Sequence, residues 1–283
     1  MRVGIVILAD DRWSNTRRRW QLAEEYGFAH AWTYDHIGWR DLVNGPWFDA
    51  VPTLAAAAAV TSTIGLGTFV ASPNFRHPVH FAREITTLDD LSAGRLIVGM
   101  GAGGTGYDAD VLGRDPLTPR QRADRFVEFV TLLDAILTND TTTSRGEHYA
   151  AVDARRAPGC VQQPRAPFVI AGNGRRTIAL AAQHGQGWVT TGGEADSQEG
   201  WWGTVADLAR RFDDAAEGRP VDRYLSIDAG PVYSLSSVDA FADAVGRATE
   251  LGFSDVVAHW PRESSWYAGD ESTLEQVADL LAH

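Results

Sequence analysis

The chain has 283 residues, 44% of them hydrophobic, a formal net charge of −12 and a single cysteine, Cys160. That length suits two ordinary domains or one α/β barrel. The charge repels phosphodiester backbones and anionic lipid, and one cysteine excludes an internal disulfide or a cysteine-built zinc site, so no metal is expected.

All 25 basic residues are arginine. This excludes a Schiff-base lysine and the lysine of a P-loop, leaving any anion to arginine and backbone N–H groups. The longest apolar runs, Val3 to Ala9 and Leu54 to Val60, are too short to cross a bilayer, and Asp10-Asp11 follow the first where a signal peptide would have its cleavage site. The expectation is a cytoplasmic protein with no nucleic-acid or membrane partner.

Strand-like runs rich in Val, Ile, Phe and Trp are predicted at 3–8, 28–35, 64–71, 95–101, 167–172, 187–191, 223–230 and 254–260. Most are continuously apolar, as parallel strands buried on both faces are. Segments of helical period follow at 16–26, 48–61, 78–93, 119–138, 174–184, 200–217, 237–251 and 271–282. The third is clearly punctuated: Pro78 suits its first turn, Ile85, Leu88 and Leu91 share a face, and Gly94 closes it. Eight such pairs predict a single-domain (β/α)8 TIM barrel over 1–283. The polar stretch 139–166 has no βα period and reads as an insertion between the fourth helix and fifth strand, with a hairpin around Ser144-Arg145-Gly146, able to cover one barrel end.

In a barrel the loops leaving the C-terminal strand ends build the active site. Here those ends read Tyr34-Asp35-His36, Ser72-Pro73-Asn74, Gly101-Ala102-Gly103, Gly172-Asn173-Gly174-Arg175-Arg176, a Thr-Gly-Gly run at 191–193, and His259-Trp260. Glycines on several strands facing one mouth suggest a large flat ligand. The string at 101–106 formally matches G-x-G-x-x-G, but three strands precede it and Pro116 and Pro119 delay the next helix. A dinucleotide fold, and with it an NAD dehydrogenase, is therefore a minor alternative. Gly172 to Arg176 offer backbone N–H groups at a helix start with two arginines, which is either a phosphate site or an ordinary helix start with solvated arginines.

Residues 61-TSTIGLGTFVASPNFRHPVHFAREITTLDDLSAGRLIVGMGAG-103, with 24-EEYGFAHAWTYDH-36 and 167-PFVIAGNGRRTIALAAQHGQGWV-189, resemble the luciferase-like monooxygenase superfamily of flavin- and F420-dependent oxidoreductases. The resemblance implies a bulge near Val70, Ala71 and Ser72 that backs the central ring of the cofactor. It implies a ring backed by Ala71 and Ser72, flanked by Asp35, His36, Gly101, Ala102 and Gly103, with its phosphate at Gly172, Asn173, Gly174, Arg175 and Arg176. Substrate would stack above the ring against some of Trp13, Trp39, Trp47, Tyr107, Trp201, Trp202, Trp260 and Trp266, and Asn74 is either a substrate contact or a turn residue.

His36 is the first candidate for proton transfer, since imidazole donates or accepts near neutral pH. Asp35 is either a cofactor contact or a turn residue. Arg76 and His77 read as the start of the third helix. The sugar-phosphate dehydrogenase branch has a glutamate after the fourth-strand glycines and lysines for substrate phosphate, whereas this chain reads Gly104-Thr105-Gly106-Tyr107-Asp108 and has no lysine. Glucose 6-phosphate is therefore not the expected substrate.

The leading expectation is an F420-dependent oxidoreductase of a small organic substrate. The alternatives are an FMN-dependent monooxygenase and a non-catalytic flavin-binding protein. The resemblance also implies a homodimer, and either cofactor could be served by a separate flavin or F420 reductase.

Overall fold

A computed structural model of the chain describes residues 1–281. Strands and helices follow one another as β1 (Arg2–Val6), α1 (Trp13–Glu25), β2 (His30–Thr33), α2 (Ala50–Ala58), β3 (Gly65–Thr68), α3 (Pro78–Leu91), β4 (Leu96–Met100), α4 (Tyr107–Asp110) and α5 (Pro119–Thr138). A hairpin, β5 (Thr141–Arg145) and β6 (Ala150–Arg155), precedes β7 (Phe168–Ala171), α6 (Arg175–His184), β8 (Gly187–Thr190), α7 (Gln198–Ala216), β9 (Asp222–Ser226), α8 (Val238–Glu250), β10 (Asp255–His259) and α9 (Glu271–Leu281).

The closed barrel runs β1-β10-β9-β8-β7-β4-β3-β2, every neighbour parallel. It is the (β/α)8 barrel predicted above. The strands are shorter than the apolar runs that announce them. The second stops at Thr33, and the seventh gives way after Ser226 to a 3-10 turn, Ile227–Ala229, so Tyr34 to His36 and Asp228 lie on loops. The helix expected to reach 282 is described as far as Leu281, and Ala282 lies outside the described residues. Among the described residues no helix is long and apolar enough to cross a membrane.

Alternation along the strands divides the apolar residues into two layers. Val3, Ile5 and Ile7 face the helices, whereas Val6 and Leu8 point into the barrel beside Trp32, Tyr34, Phe69, Val169, Val189, Tyr224 and Val257. Large rings fit inside because neighbouring strands carry glycine. A Cβ at Gly67 would lie 2.4 Å from the Trp32 ring, and one at Gly4 would lie 1.9 Å from His30 Nδ1. The Trp32 indole donates to His30 Nδ1 at 2.6 Å, and His30 Nε2 meets Asp255 at 3.0 Å. Arg2 closes the barrel bottom by donating to both Asp255 oxygens at 2.8 and 2.7 Å.

The 139–166 insertion packs on the outer flank of α3 and α5 and does not lie over the mouth. The Glu128 carboxylate on α5 accepts from the backbone N–H of His148 at 3.0 Å and of Tyr149 at 2.6 Å, and the Tyr149 ring meets Phe129 at 5.8 Å. Arg83 of α3 donates to the Ala157 carbonyl at 2.7 Å. Cys160 is buried here and serves packing.

Burial opposes ionisation of Asp255, but hydrogen bonds from His30, Arg2 and Ser254 outweigh it and hold the carboxyl below its ordinary value. A depressed carboxylate stabilises the fold above its unfolded-state value, about 3.9, and that stability is lost as pH falls through the folded-state value. Asp255→Asn is expected to lower the unfolding free energy at pH 7 by about 3 kcal/mol, the scale of a broken buried pair. Urea titrations should show the deficit shrinking below about pH 4; an equal deficit at pH 7 and pH 3 would refute this role.

Candidate functional site

Three consecutive residues leaving β2 are anchored in three directions. Tyr34 turns inward and joins the inner layer. Asp35 is 1% exposed, and Arg76 donates to it twice, from Nη2 at 2.7 Å and from Nε at 3.0 Å. Arg76 also donates to Glu84 at 3.0 Å and approaches Asp49 at 3.4 Å. Burial pushes the Asp35 carboxyl up from its ordinary value, with the Arg76 guanidinium opposing. Asp35 is thus held in a buried ion pair, and Arg76, besides standing at the start of the third helix, is its partner. His77 caps α3, its Nδ1 accepting from the Val79 N–H at 3.2 Å.

His36, third in the run, remains partly exposed, and its Nδ1 is hydrogen-bonded to Asp108 of α4. The same carboxylate accepts from the N–H groups of Ile37 at 2.8 Å and Gly38 at 3.2 Å. Trp47 donates to the His36 carbonyl at 2.8 Å. With Nδ1–H committed to a carboxylate, Nε2 is the nitrogen left for proton exchange.

The bulge after β3 holds a cis peptide between Phe69 and Val70. Its N–H groups knit into β4: Ala71 N donates to Gly99 O and Gly101 N to Ala71 O, both at 2.8 Å. Val70 fits because residue 101 is glycine; a Cβ there would come within 2.8 Å of Val70 Cγ2. Ala71 is fully buried and Ser72 is 5% exposed, its Oγ accepting from Asn74 N at 3.3 Å. The partly exposed member of the bulge is thus Val70, and the surface for a ring lies one residue earlier than Ala71 and Ser72. Gly101 closes the inner wall, and Ala102 and Gly103 continue it as partly exposed residues.

Asn74 is 5% exposed and is held on three sides. Its Oδ1 accepts from Arg125 Nη2 at 2.6 Å, its Nδ2 donates to Gly104 O at 3.2 Å, and its carbonyl accepts from Arg114 at 3.2 Å. Gly103, at φ 72°, lies so close that a Cβ would stand 2.6 Å from Asn74 Oδ1.

Arg114, Arg122 and Arg125 line one cleft with Asn74, Gly104 and Thr105, and Asp110 and Asp115 line it too. Among the described residues none of the three is ion-paired with a carboxylate. Arg125 is 9% exposed with its Nε buried and unbonded, and burial, together with Arg114 and Arg122, pushes its guanidinium down. A buried cation without a counter-charge is a costly arrangement that an anion relieves.

The neighbouring helix α6, tied to α5 by the pair of Arg176 and Asp124, follows Gly174 with no side-chain cap, leaving its first N–H groups open. Asn173 is oriented by Thr190 at 2.7 Å, and Gly172 must be glycine because a Cβ would stand 2.4 Å from Thr177 Oγ1. Arg175 is exposed, while Arg176 is ion-paired with Asp124 on α5. The charge expected from Arg176 is thus already matched, and Arg125, next along α5 from Asp124, is the free one.

The aromatic load divides similarly. Trp39 stacks on Tyr267 at 6.2 Å and meets Trp266 edge-on at 5.8 Å. Tyr107 is 46% exposed on the rim, close enough that a Cβ on Gly38 would lie 2.9 Å from its ring. Trp260 does not reach the mouth: it is 3% exposed, stacks on Tyr26 and donates to Glu271 at 2.8 Å, between α1 and α9. Trp201 and Trp202 are buried on α7 and Trp13 packs against the outer layer, so none of these lines a pocket at the mouth. Reading the sequence alone misses Asp108, Arg125 and the partners of Tyr34. Asp108 had a visible signal, a carboxylate in the loop after β4, but its partner lies 72 residues earlier.

Residues 1–269 match the profile of a family described as luciferase-like monooxygenase. An F420-dependent glucose-6-phosphate dehydrogenase of Kineococcus radiotolerans is 31% identical over 264 residues, covering 90% of this chain and 75% of that protein. Another of the same name, from Amycolatopsis mediterranei, is 33% identical over 175 residues, 61% of this chain, and the match spans about half of that relative, 51%. Among solved structures an F420-dependent secondary alcohol dehydrogenase shares the fold, with a TM-score of 0.81 at 17% identity, covering 98% of this chain and 97% of that one.

Asp108→Ala is expected to free the β2 loop. Hydrogen–deuterium exchange should then accelerate at Ile37 and Gly38 by about tenfold, the equivalent of the ~1.4 kcal/mol within the range of a lost bond to a charged group. Exchange unchanged at both amides would show that Asp108 does not hold the loop.

Proposed function

The chain belongs to the luciferase-like monooxygenase family and is an oxidoreductase, and from that premise we propose that it transfers hydride between the deazaflavin F420 and a small organic substrate. The observation that carries this reading is the pairing of a ring-sized platform with an anion site. Val70 and Gly101 form the platform, and the cleft of Arg114, Arg122 and Arg125 borders α5, the helix to which the uncapped α6 is tied. These residues fit a flat cofactor with an anionic tail: the orphaned Nε of Arg125 and the open N–H groups of α6 lack only the anion. The F420-dependent names of the relatives support the deazaflavin over FMN.

When bound, the deazaflavin supplies the hydride chemistry, and the protein supplies position, electrostatics and dryness. Arg114, Arg122 and Arg125 would hold the phosphate together with Gly172, Asn173 and Gly174. Val70 would support the ring. His36 would hold or release a proton at Nε2, with Asp108 fixing the imidazole. Trp39, Trp47 and Tyr267 would keep water from the mouth. The absence of lysine supports a substrate other than a sugar phosphate.

Calorimetric titration tests the reading. F420 is expected to bind at least tenfold more tightly than FMN, and Arg125→Gln to weaken F420 about tenfold, the equivalent of the ~1.4 kcal/mol within the range of one bond to a charged group. Tighter FMN binding would favour oxygen chemistry with a partner reductase, and binding of neither would defeat the cofactor assignment.

A further inference from the structure

We propose that Tyr267, Tyr34, His259 and Asp228 form a proton relay from the barrel mouth to a buried carboxylate, serving the carbon–oxygen bond of an alcohol or carbonyl substrate. The proposal rests on the hydride-transfer reading above and names the substrate class for it.

The four side chains come from separate places: Tyr34 leaves β2, His259 ends β10, Asp228 follows β9 and Tyr267 lies on the loop before α9. Their polar atoms form one line. Asp228 Oδ2 meets His259 Nδ1 at 3.0 Å, His259 Nε2 meets the Tyr34 hydroxyl at 2.8 Å, and that hydroxyl meets the Tyr267 hydroxyl at 2.9 Å. Asp228 is pinned as an acceptor by the N–H of His259 at 2.6 Å and of Ser234 at 2.8 Å. Tyr233 donates to the His259 carbonyl at 2.8 Å, and the Tyr267 ring lies flat on the His259 ring at 3.8 Å. His259, Asp228 and Tyr34 are buried, and Tyr267 is partly exposed.

Asp228 fixes the imidazole with its proton on Nδ1, so Nε2 accepts from Tyr34 and Tyr34 accepts from Tyr267. When Nε2 gains a proton the direction reverses: His259 donates to Tyr34, Tyr34 to Tyr267, and the Tyr267 proton points outward. A hydroxyl serves both directions because it is donor and acceptor at once. At the outer end of the relay the Tyr267 ring stacks on Trp39, and the Tyr34 ring meets that of His36 at 5.8 Å, which puts the relay against the loop that carries the rim histidine.

The barrel provides its own comparison. The other buried histidine–carboxylate pair, His30 with Asp255, ends in the Trp32 indole on one side and the Arg2 guanidinium on the other. Neither group accepts a proton, so that pair is a structural tie. The one hydroxyl on that pair, Ser254 Oγ, donates to Asp255 at 2.7 Å, whereas in the His259 pair it is the imidazole Nε2 that meets a hydroxyl, and that hydroxyl meets a second.

In oxidation a bound deazaflavin would supply the acceptor for the hydride of the substrate carbon, and the protein's own residues would take the proton. The substrate's hydroxyl proton passes to Tyr267 as the Tyr267 proton moves to Tyr34 and the Tyr34 proton to Nε2. A carbonyl product and an imidazolium paired with Asp228 result, and reduction runs the same transfers backwards. The alcohol loses one hydride and one proton, two electrons and two hydrogen nuclei in all, and nothing else. Burial raises both hydroxyls above their ordinary value, so they act as protonated links.

Nuclear magnetic resonance of the whole chain with labelled histidine nitrogen and tyrosine Cζ tests the coupling. The titratable and charged groups facing the relay are Asp228, Tyr233, Arg40, Arg262 and His36, whose ring lies 5.8 Å from that of Tyr34. As pH falls, the Tyr34 and Tyr267 Cζ lines should shift with one midpoint, in His36→Gln as in the wild-type chain. Tyr34→Phe should reduce the Tyr267 response to what its stacking on the His259 ring alone transmits, and Tyr267→Phe should leave the Tyr34 response in place. In F420-loaded protein, 2-propanol as probe alcohol should move the Tyr267 line. A Tyr267 response that Tyr34→Phe does not reduce overturns the relay, and a Tyr267 line indifferent to 2-propanol overturns the substrate class. Calorimetry keeps the two readings apart: a wild-type chain that does not bind F420 fails the cofactor reading, whereas uncoupled tyrosines fail the relay.

Discussion

The buried pair of Asp35 and Arg76 is the contact on which the mouth depends. Its two parallel hydrogen bonds join the end of β2 to the loop entering α3, and the remaining donors of Arg76 reach Glu84 on α3 and Asp49 at the start of α2. Removing one partner of such a pair strands a charge away from water, at about 3–5 kcal/mol, whereas the intact pair contributes far less net stability than that. Its value is geometric. Arg76 brings a rigid planar fork, and the rings of Phe75 and Phe81 lie 5.0 and 5.6 Å from its carbon. Two loops that would otherwise move independently are thereby fixed to each other.

That fixed point explains how adjacent residues acquire unrelated tasks. With Asp35 pinned outward, strand alternation sends Tyr34 into the barrel and leaves His36 at the rim. Each neighbour then finds a partner from a different element, His259 for Tyr34 and Asp108 for His36. On the other loop Ser72 and Asn74 stand before Arg76, and Asn74 passes the constraint to Arg125 on α5. Ring platform, histidine and anion cleft are in this way referred to one ion pair, which suits a reaction sensitive to sub-ångström placement.

The barrel was legible because its strands are buried on both faces, so hydrophobicity alone marks them, and the polar stretch 139–166 stood out by breaking the rhythm. The site was legible only to the level of loops. Trp260 and Tyr34 carry the same aromatic signal at strand ends, yet one faces the helices and the other the barrel, a difference of one residue in register. Partners were the other limit. Asp35 looks like a turn residue until Arg76 is placed against it 41 positions on, and Tyr34 meets His259 across 225 positions. Such pairings follow from closure of the barrel, not from any local pattern.

The same closure resolves an apparent contradiction in charge. A chain with a net charge of −12 is a poor host for an anionic cofactor, and long-range attraction is not available to it. The fold answers locally. It matches Arg176 with Asp124 and Arg165 with Asp134. It leaves Arg114, Arg122 and Arg125 without carboxylate partners among the described residues, in one cleft. Asp110 and Asp115 line the same cleft, so what the fold offers an anion there is contact with the buried Arg125 guanidinium, whose Nε has no partner, and not a large local excess of positive charge.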